Sequence, residues 1–95
     1  MEMKVTFSQH AADQLIERDL SHEMVLSILD SPILITADPN YSDRVRAYGV
    51  INERDGRIMR VIYVQKGDAF HVISAFLDRD AQRYFDVLNK SERSL

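Results

Sequence analysis

The hydrophobic period of this chain changes at Pro32, which restricts it to folds that place helices first and a sheet after them. Before that point Ala11, Ala12, Leu15 and Ile16 recur at helical spacing, and Met24, Val25, Ile28 and Leu29 continue the pattern. Ser8 and Ser21 stand where a side-chain oxygen can accept a free N–H of a helix's first turn. Leu20 before the second cap and Val25 inside the helix match a hydrophobic staple. A break at Asp19-Leu20 separates two helices packed as an angled pair, and Pro32 ends the second.

From Ile33 onward the period is two. Ile33, Ile35 and Ala37 alternate with Leu34 and Thr36 before a turn at Asp38-Pro39-Asn40. Residues 44–51 divide into two faces, one carrying Val45, Ala47, Gly49 and Ile51, the other Arg44, Arg46, Tyr48 and Val50. Asp55-Gly56 is a hairpin signal between that segment and the β-branched run 58–65. Lys66-Gly67-Asp68 turns the chain again into 70–77, the most continuously apolar segment and the one expected centrally. Asp78 caps a last helix whose Ala81, Tyr84, Phe85 and Leu88 can face the sheet. With a short extended entry at 4–7, the expected order is β-α-α-β-β-β-β-α. The fold class is α+β: two N-terminal helices, a four-stranded, mainly antiparallel sheet and a C-terminal helix, all one domain over 1–95. Helices on one sheet face would leave the other open, and function is expected there.

The composition narrows the chemistry. The chain has no cysteine, which removes disulfides, thiolate metal sites and reactive-thiol chemistry. Its three histidines are scattered, so no metal and no cofactor is expected. No apolar run reaches the ~18 residues that cross a bilayer, and the opening Met1-Glu2-Met3-Lys4 lacks the pattern of a secretory signal. The expectation is a cytoplasmic protein with no membrane contact. Net charge is −3, so any phosphate-binding surface must be a local patch.

His10, Gln14 and Arg18 follow at intervals of four and line one face of the first helix. His10 is either a general acid or base or, more commonly for such a residue, a structural histidine near a helix start. Among the arginines, Arg44, Arg46 and Arg60 lie on neighbouring strands, with Tyr48 beside the first two. Arg79 and Arg83 are four apart on the last helix. A planar guanidinium holds phosphate through two parallel hydrogen bonds, and arginines with tyrosines on an open sheet suit a phosphodiester and a stacked base. The alternative is a solvated face with ion pairs to Asp43, Asp80 and Asp86, weaker for the strand arginines because their own faces lack acids. Tyr84 combines a packed ring with a hydroxyl at the edge, and His71 and Ser74 are expected on opposite faces of their strand. The usual use of a lone strand hydroxyl such as Ser74 is a bond to backbone.

The segments Phe7-Ser8-Gln9-His10-Ala11, Arg18-Asp19-Leu20-Ser21, Val25, Pro32, Arg60-Val61-Ile62-Tyr63 and Val72-Ile73-Ser74-Ala75-Phe76 resemble, in order and spacing, the domain of unknown function 4258 family. That family is similar in architecture to the RelE and BrnT toxins, small ribonucleases of toxin–antitoxin systems. The resemblance implies metal-independent RNA cleavage, in which a 2′-hydroxyl attacks the adjacent phosphate and the protein supplies acid, base and cations. It implies His10 as acid or base, Arg18 and Arg60 on phosphate, and Ser74 orienting it. Tyr84 and Arg79 would lie in the C-terminal region where such toxins keep functional groups. Arg44, Arg46, Tyr48 and Arg83 complete the expected RNA surface. The implied partners are RNA and an antitoxin protein. The acidic balance and the apolar central strands favour a second reading, a non-catalytic interaction module with a protein partner or a homodimer.

Overall fold

Ser8 and Ser21 cap the two N-terminal helices as their positions require, each accepting the backbone N–H three residues on, from Ala11 at 3.0 Å and Met24 at 3.2 Å. The computed structural model describes residues 3–93, with side chains through residue 86. Strand β1 (Lys4–Phe7) precedes helices α1 (Gln9–Glu17) and α2 (His22–Asp30). Strands β2 (Leu34–Ala37), β3 (Val45–Ile51), β4 (Arg57–Lys66) and β5 (Ala69–Leu77) follow, and helix α3 (Arg79–Arg93) closes the chain. Between the first two helices Asp19 takes a left-handed conformation, φ 54°, which aspartate tolerates better than most residues.

The fold is α+β, but the sheet has five strands and is mixed, in the order β1-β5-β4-β3-β2. The extended entry at Lys4–Phe7 is the additional strand, and it pairs parallel with β5. The other three pairings are antiparallel. β5 is an interior strand, and β4 occupies the middle of the sheet. The Asp55-Gly56 signal marks a real turn, with both residues left-handed at φ 57° and 74°, entered through a 3-10 turn at Asn52–Arg54.

Residues 45, 47, 49 and 51 of β3 share a side with 59, 61 and 63 of β4, and this side meets α1 and α2. Leu15, Val25, Ile28, Met59, Val61 and Val72 are fully buried between these layers. Each such apolar side chain contributes roughly 1.5–3 kcal/mol by leaving water. The opposite side is not wholly open, because α3 crosses one end of it and contacts β4. There buried Tyr48 shares a hollow with Ala81 and Phe85, and the Gln82 side chain accepts the N–H of buried Ile58 at 2.7 Å. Leu88, expected to share that helix face, lies outside the described side chains. Among the described residues no helix is long and apolar enough to cross a membrane.

The approach of α2 to the sheet is set at Gly49. A Cβ there would lie 2.6 Å from Ile28 Cγ1, well inside contact distance. Gly49→Ala is therefore expected to destabilise the protein by roughly 1–3 kcal/mol through overpacking, measured as a lower urea midpoint. An unchanged midpoint would mean that the helix–sheet distance is set elsewhere.

Candidate functional site

The free edge of β5 places the first group of polar residues. β1 pairs only with residues 69–72 of that strand, leaving the stretch beyond without a strand neighbour on that side. α1 covers it instead. The Ser8 N–H and hydroxyl donate to the carbonyls of Val72 at 2.9 Å and Ile73 at 3.0 Å. One turn and a half later Gln14 Oε1 accepts the Ala75 N–H at 3.1 Å and the Ser74 hydroxyl at 2.9 Å. Because residues four apart share a helix face, His10 and Arg18 lie on the same ridge on either side of Gln14, ~12 Å apart along the axis. Both are exposed.

At the far end of this ridge Arg18 meets Arg57, the first residue of β4, and Arg79, the first residue of α3. These three arginines and Leu77 line a hollow of about 390 Å³ with no acidic residue among its described lining. None of the three forms an ion pair among the described residues. Like charges held together without a counterion favour an anion, and the planar donors suit phosphate oxygens.

A second hollow, about 320 Å³, lies on the other side of the Leu77–Arg79 junction, between the sheet and α3. Arg46, Tyr48, Arg60, Asp78, Asp80 and Tyr84 are among its walls. Here the strand arginines are not free of acids, as their own faces suggested. The acids come from the strand ends. Arg46 Nε lies 3.2 Å from Asp38 Oδ2, and Arg60 Nε lies 3.3 Å from Asp78 Oδ2. The second pair has an angle too poor for a hydrogen bond, so the buried Arg60 Nε has none, while its guanidinium rests 4.5 Å from the Phe76 ring centre. Asp78 also caps α3, its Oδ1 accepting the Asp80 and Ala81 N–H groups, both at 3.0 Å. Charge is therefore nearly balanced in this hollow, unlike the first.

The residues expected in one centre are thus distributed over several places. Arg46, Tyr48, Arg60 and Tyr84 share the α3 hollow, and Arg18 and Arg79 share the other. Ser74 is bonded to Gln14, and His10 lines neither hollow. Arg44 lies over the Tyr41 ring at 3.9 Å, and Arg83 pairs with Asp80 at 3.9 Å. Tyr84 is 58% exposed, more open than a half-packed ring. The register shift at Ile62/Tyr63 leaves Ile73 of β5 as an extra, unpaired residue, with Ile62 paired to Ser74 and Val64 to His71, so His71 and Ser74 share a side of the sheet instead of opposing one another. Among the described residues no group of three His, Cys, Asp or Glu is placed to hold a metal. Arg57 was not foreseen from the sequence because it follows the Asp55-Gly56 turn and meets Arg18 only through the fold. The one sequence signal is a cation directly after that turn.

Asp38 holds both the β2–β3 turn and Arg46. Its Oδ1 accepts the N–H groups of Asn40 at 2.8 Å and Tyr41 at 3.1 Å. The Asn40 N–H foremost, with Arg46 and Tyr41, outweighs burial and holds the Asp38 carboxyl below its ordinary 3.8. Burial works against the Arg46 charge, but Tyr48 and Asp38 beside it more than offset this and raise its pKa. A lowered carboxyl contributes stability above its unfolded pKa and loses it as pH falls through the folded one. Asp38→Asn is therefore expected to lower the urea midpoint at pH 6 and to narrow its difference from wild type below pH 4. An undiminished difference at low pH would overturn this assignment.

Comparison with curated proteins and with solved structures gives no match. The model of one family, described as Domain of unknown function (DUF4258), matches residues 7–77. That span runs from the end of β1 through both capped helices and the sheet to Leu77, so it takes in the His10–Gln14–Arg18 ridge and Arg57 and stops short of Arg79. The chain belongs to the DUF4258 family.

Proposed function

We propose that this protein is a small ribonuclease of the RelE/BrnT-like kind, the toxin of a toxin–antitoxin pair, and that RNA phosphates lie along the α1–β5 edge. The observation that carries this reading is the hollow of Arg18, Arg57 and Arg79, in which Arg18 is the residue it shares with the His10 ridge. A chain of net charge −3 attracts nucleic acid only through such a local concentration of cations. His10 and Arg18 stand ~12 Å apart along α1, so in this reading the arginines hold one phosphate while His10 stands near another part of the strand. In this arrangement the arginines bind and orient, and His10 moves the proton of the attacking 2′-hydroxyl or of the leaving oxygen. Arg60 and Tyr84 lie across the junction in the α3 hollow, where they would contact the continuing strand.

Fluorescence anisotropy with a short single-stranded RNA, together with a cleavage assay on the same oligonucleotide, tests this. The double variant Arg57→Ala/Arg79→Ala should bind at least tenfold more weakly and flatten the log–log salt slope by about 0.7 for each phosphate it no longer neutralises. His10→Ala should bind within twofold of wild type and cleave about 10²–10⁴ times more slowly. Cleavage unaffected by His10→Ala removes the catalytic role, and wild type that neither binds nor cuts RNA removes the whole reading.

One observation favours the second reading, an interaction module. β2 is an edge strand, and Ile33, Leu34 and Ile35 on or beside it are 48%, 38% and 55% exposed. An apolar strand with unpaired backbone groups accepts a partner strand, from an antitoxin or a second copy. Light scattering should then show a dimer or a stable complex with a partner, dispersed by Ile35→Lys. A monomer that cleaves RNA alone would eliminate it.

A further inference from the structure

The sheet face beyond the reach of α3 carries a third hollow, of about 460 Å³, over β1, β5 and β4. Its lining includes Lys4, Thr6, Val64, Lys66, Ala69 and His71. The strand registers explain the convergence: Thr6 pairs with His71 and His71 with Val64, while Lys4 pairs with Ala69 and Ala69 with Lys66. Two rows of three residues therefore lie side by side, one apolar at its centre with a lysine at each end, the other carrying a hydroxyl, an imidazole and a valine. The parallel β1–β5 pairing and the unbroken β4–β5 register from Val64/His71 to Lys66/Ala69 together produce these rows.

Thr6 Oγ1 and His71 Nδ1 are 2.7 Å apart. That bond occupies Nδ1 and leaves Nε2 as the ring nitrogen available to a ligand. When the threonine hydroxyl donates to Nδ1, the ring proton sits on Nε2 and faces outward as a donor. Lys4 and Lys66 are exposed and form no ion pair among the described residues, and Asp68 in the adjoining turn pairs with neither. Val64, Ala69 and the lysine stems supply an apolar floor. Two cations and two hydrogen-bonding groups around an apolar floor match a small dianion with a flat apolar body.

We propose that this hollow is a binding site for an aromatic phosphomonoester, separate from the arginine hollow and independent of the RNA reading. The phosphate lies between Lys4 and Lys66 with His71 Nε2 as a further donor, and the ring rests on Val64 and Ala69. The hollow's volume falls within the range of small-molecule sites.

Two-dimensional NMR of the full chain, titrated with phenyl phosphate, inorganic phosphate and benzoate, tests the proposal. Phenyl phosphate should give saturable shifts at Thr6, Val64, Lys66 and His71, and bind at least tenfold more tightly than inorganic phosphate and fivefold more tightly than benzoate. Lys66→Gln and Thr6→Val should each weaken it at least fivefold, while Arg57→Ala leaves it unchanged. Absence of saturation, equal affinity for inorganic phosphate or benzoate, or an affinity unaffected by Lys66→Gln overturns the site. An affinity abolished in Arg57→Ala instead assigns phosphate binding to the arginine hollow and overturns it too.

Discussion

The edge of β5 is completed in two halves, and the rest of the molecule is arranged around that fact. β1 supplies backbone partners for residues 69–72, and α1 supplies side-chain partners for the next three. An unpaired N–H in a partly buried strand costs about 1–3 kcal/mol, so the amide of Gln14 at the Ala75 N–H is a structural requirement as well as a neighbour of the site. Fixing Gln14 fixes the rotation of α1. The rotation of α1 then determines that His10 and Arg18 point along the edge, and that Arg18 reaches the corner where β4 begins and α3 starts.

Charge is handled differently at the three hollows. Beneath α3 the arginines are each held by an aspartate from a strand end, and those aspartates also cap a turn and a helix. Such pairs fix geometry, since partly buried charges left unpaired are costly. At the α1–β5 corner three arginines line one hollow with no acid among its described lining residues. On the sheet face over β1, β5 and β4, lysines flank an apolar floor. The chain is acidic overall, yet its cations are concentrated where backbone registers bring separate segments together.

Much of the architecture was legible in the residues themselves. Both serine caps, the break at Asp19-Leu20, the stop at Pro32 and the Asp55-Gly56 turn act over a few neighbouring positions, and local spacing is enough to read them. The parallel partnership of β1 was not legible, because four residues of weak alternation carry no information about a partner more than sixty positions away. The bulge that moves Ser74 to the side of His71 was equally hidden, since the extra residue is defined only against the neighbouring strand. Arg18 and Arg79, singled out by type and position in the sequence, line one hollow, whereas the place of Arg57 beside them and the tethers Asp38 and Asp78 emerge only when distant segments meet.

By itself the sequence determined the α+β class, the order of helices and strands, and the ridge His10–Gln14–Arg18, because periodicity and capping are properties of adjacent residues. Only the tertiary structure decided that the sheet is mixed, that α3 covers one end of its second face, and which arginines stand together. Those outcomes depend on pairing and packing between segments far apart in the chain, where hydrogen-bond register, and no local preference, selects the neighbours.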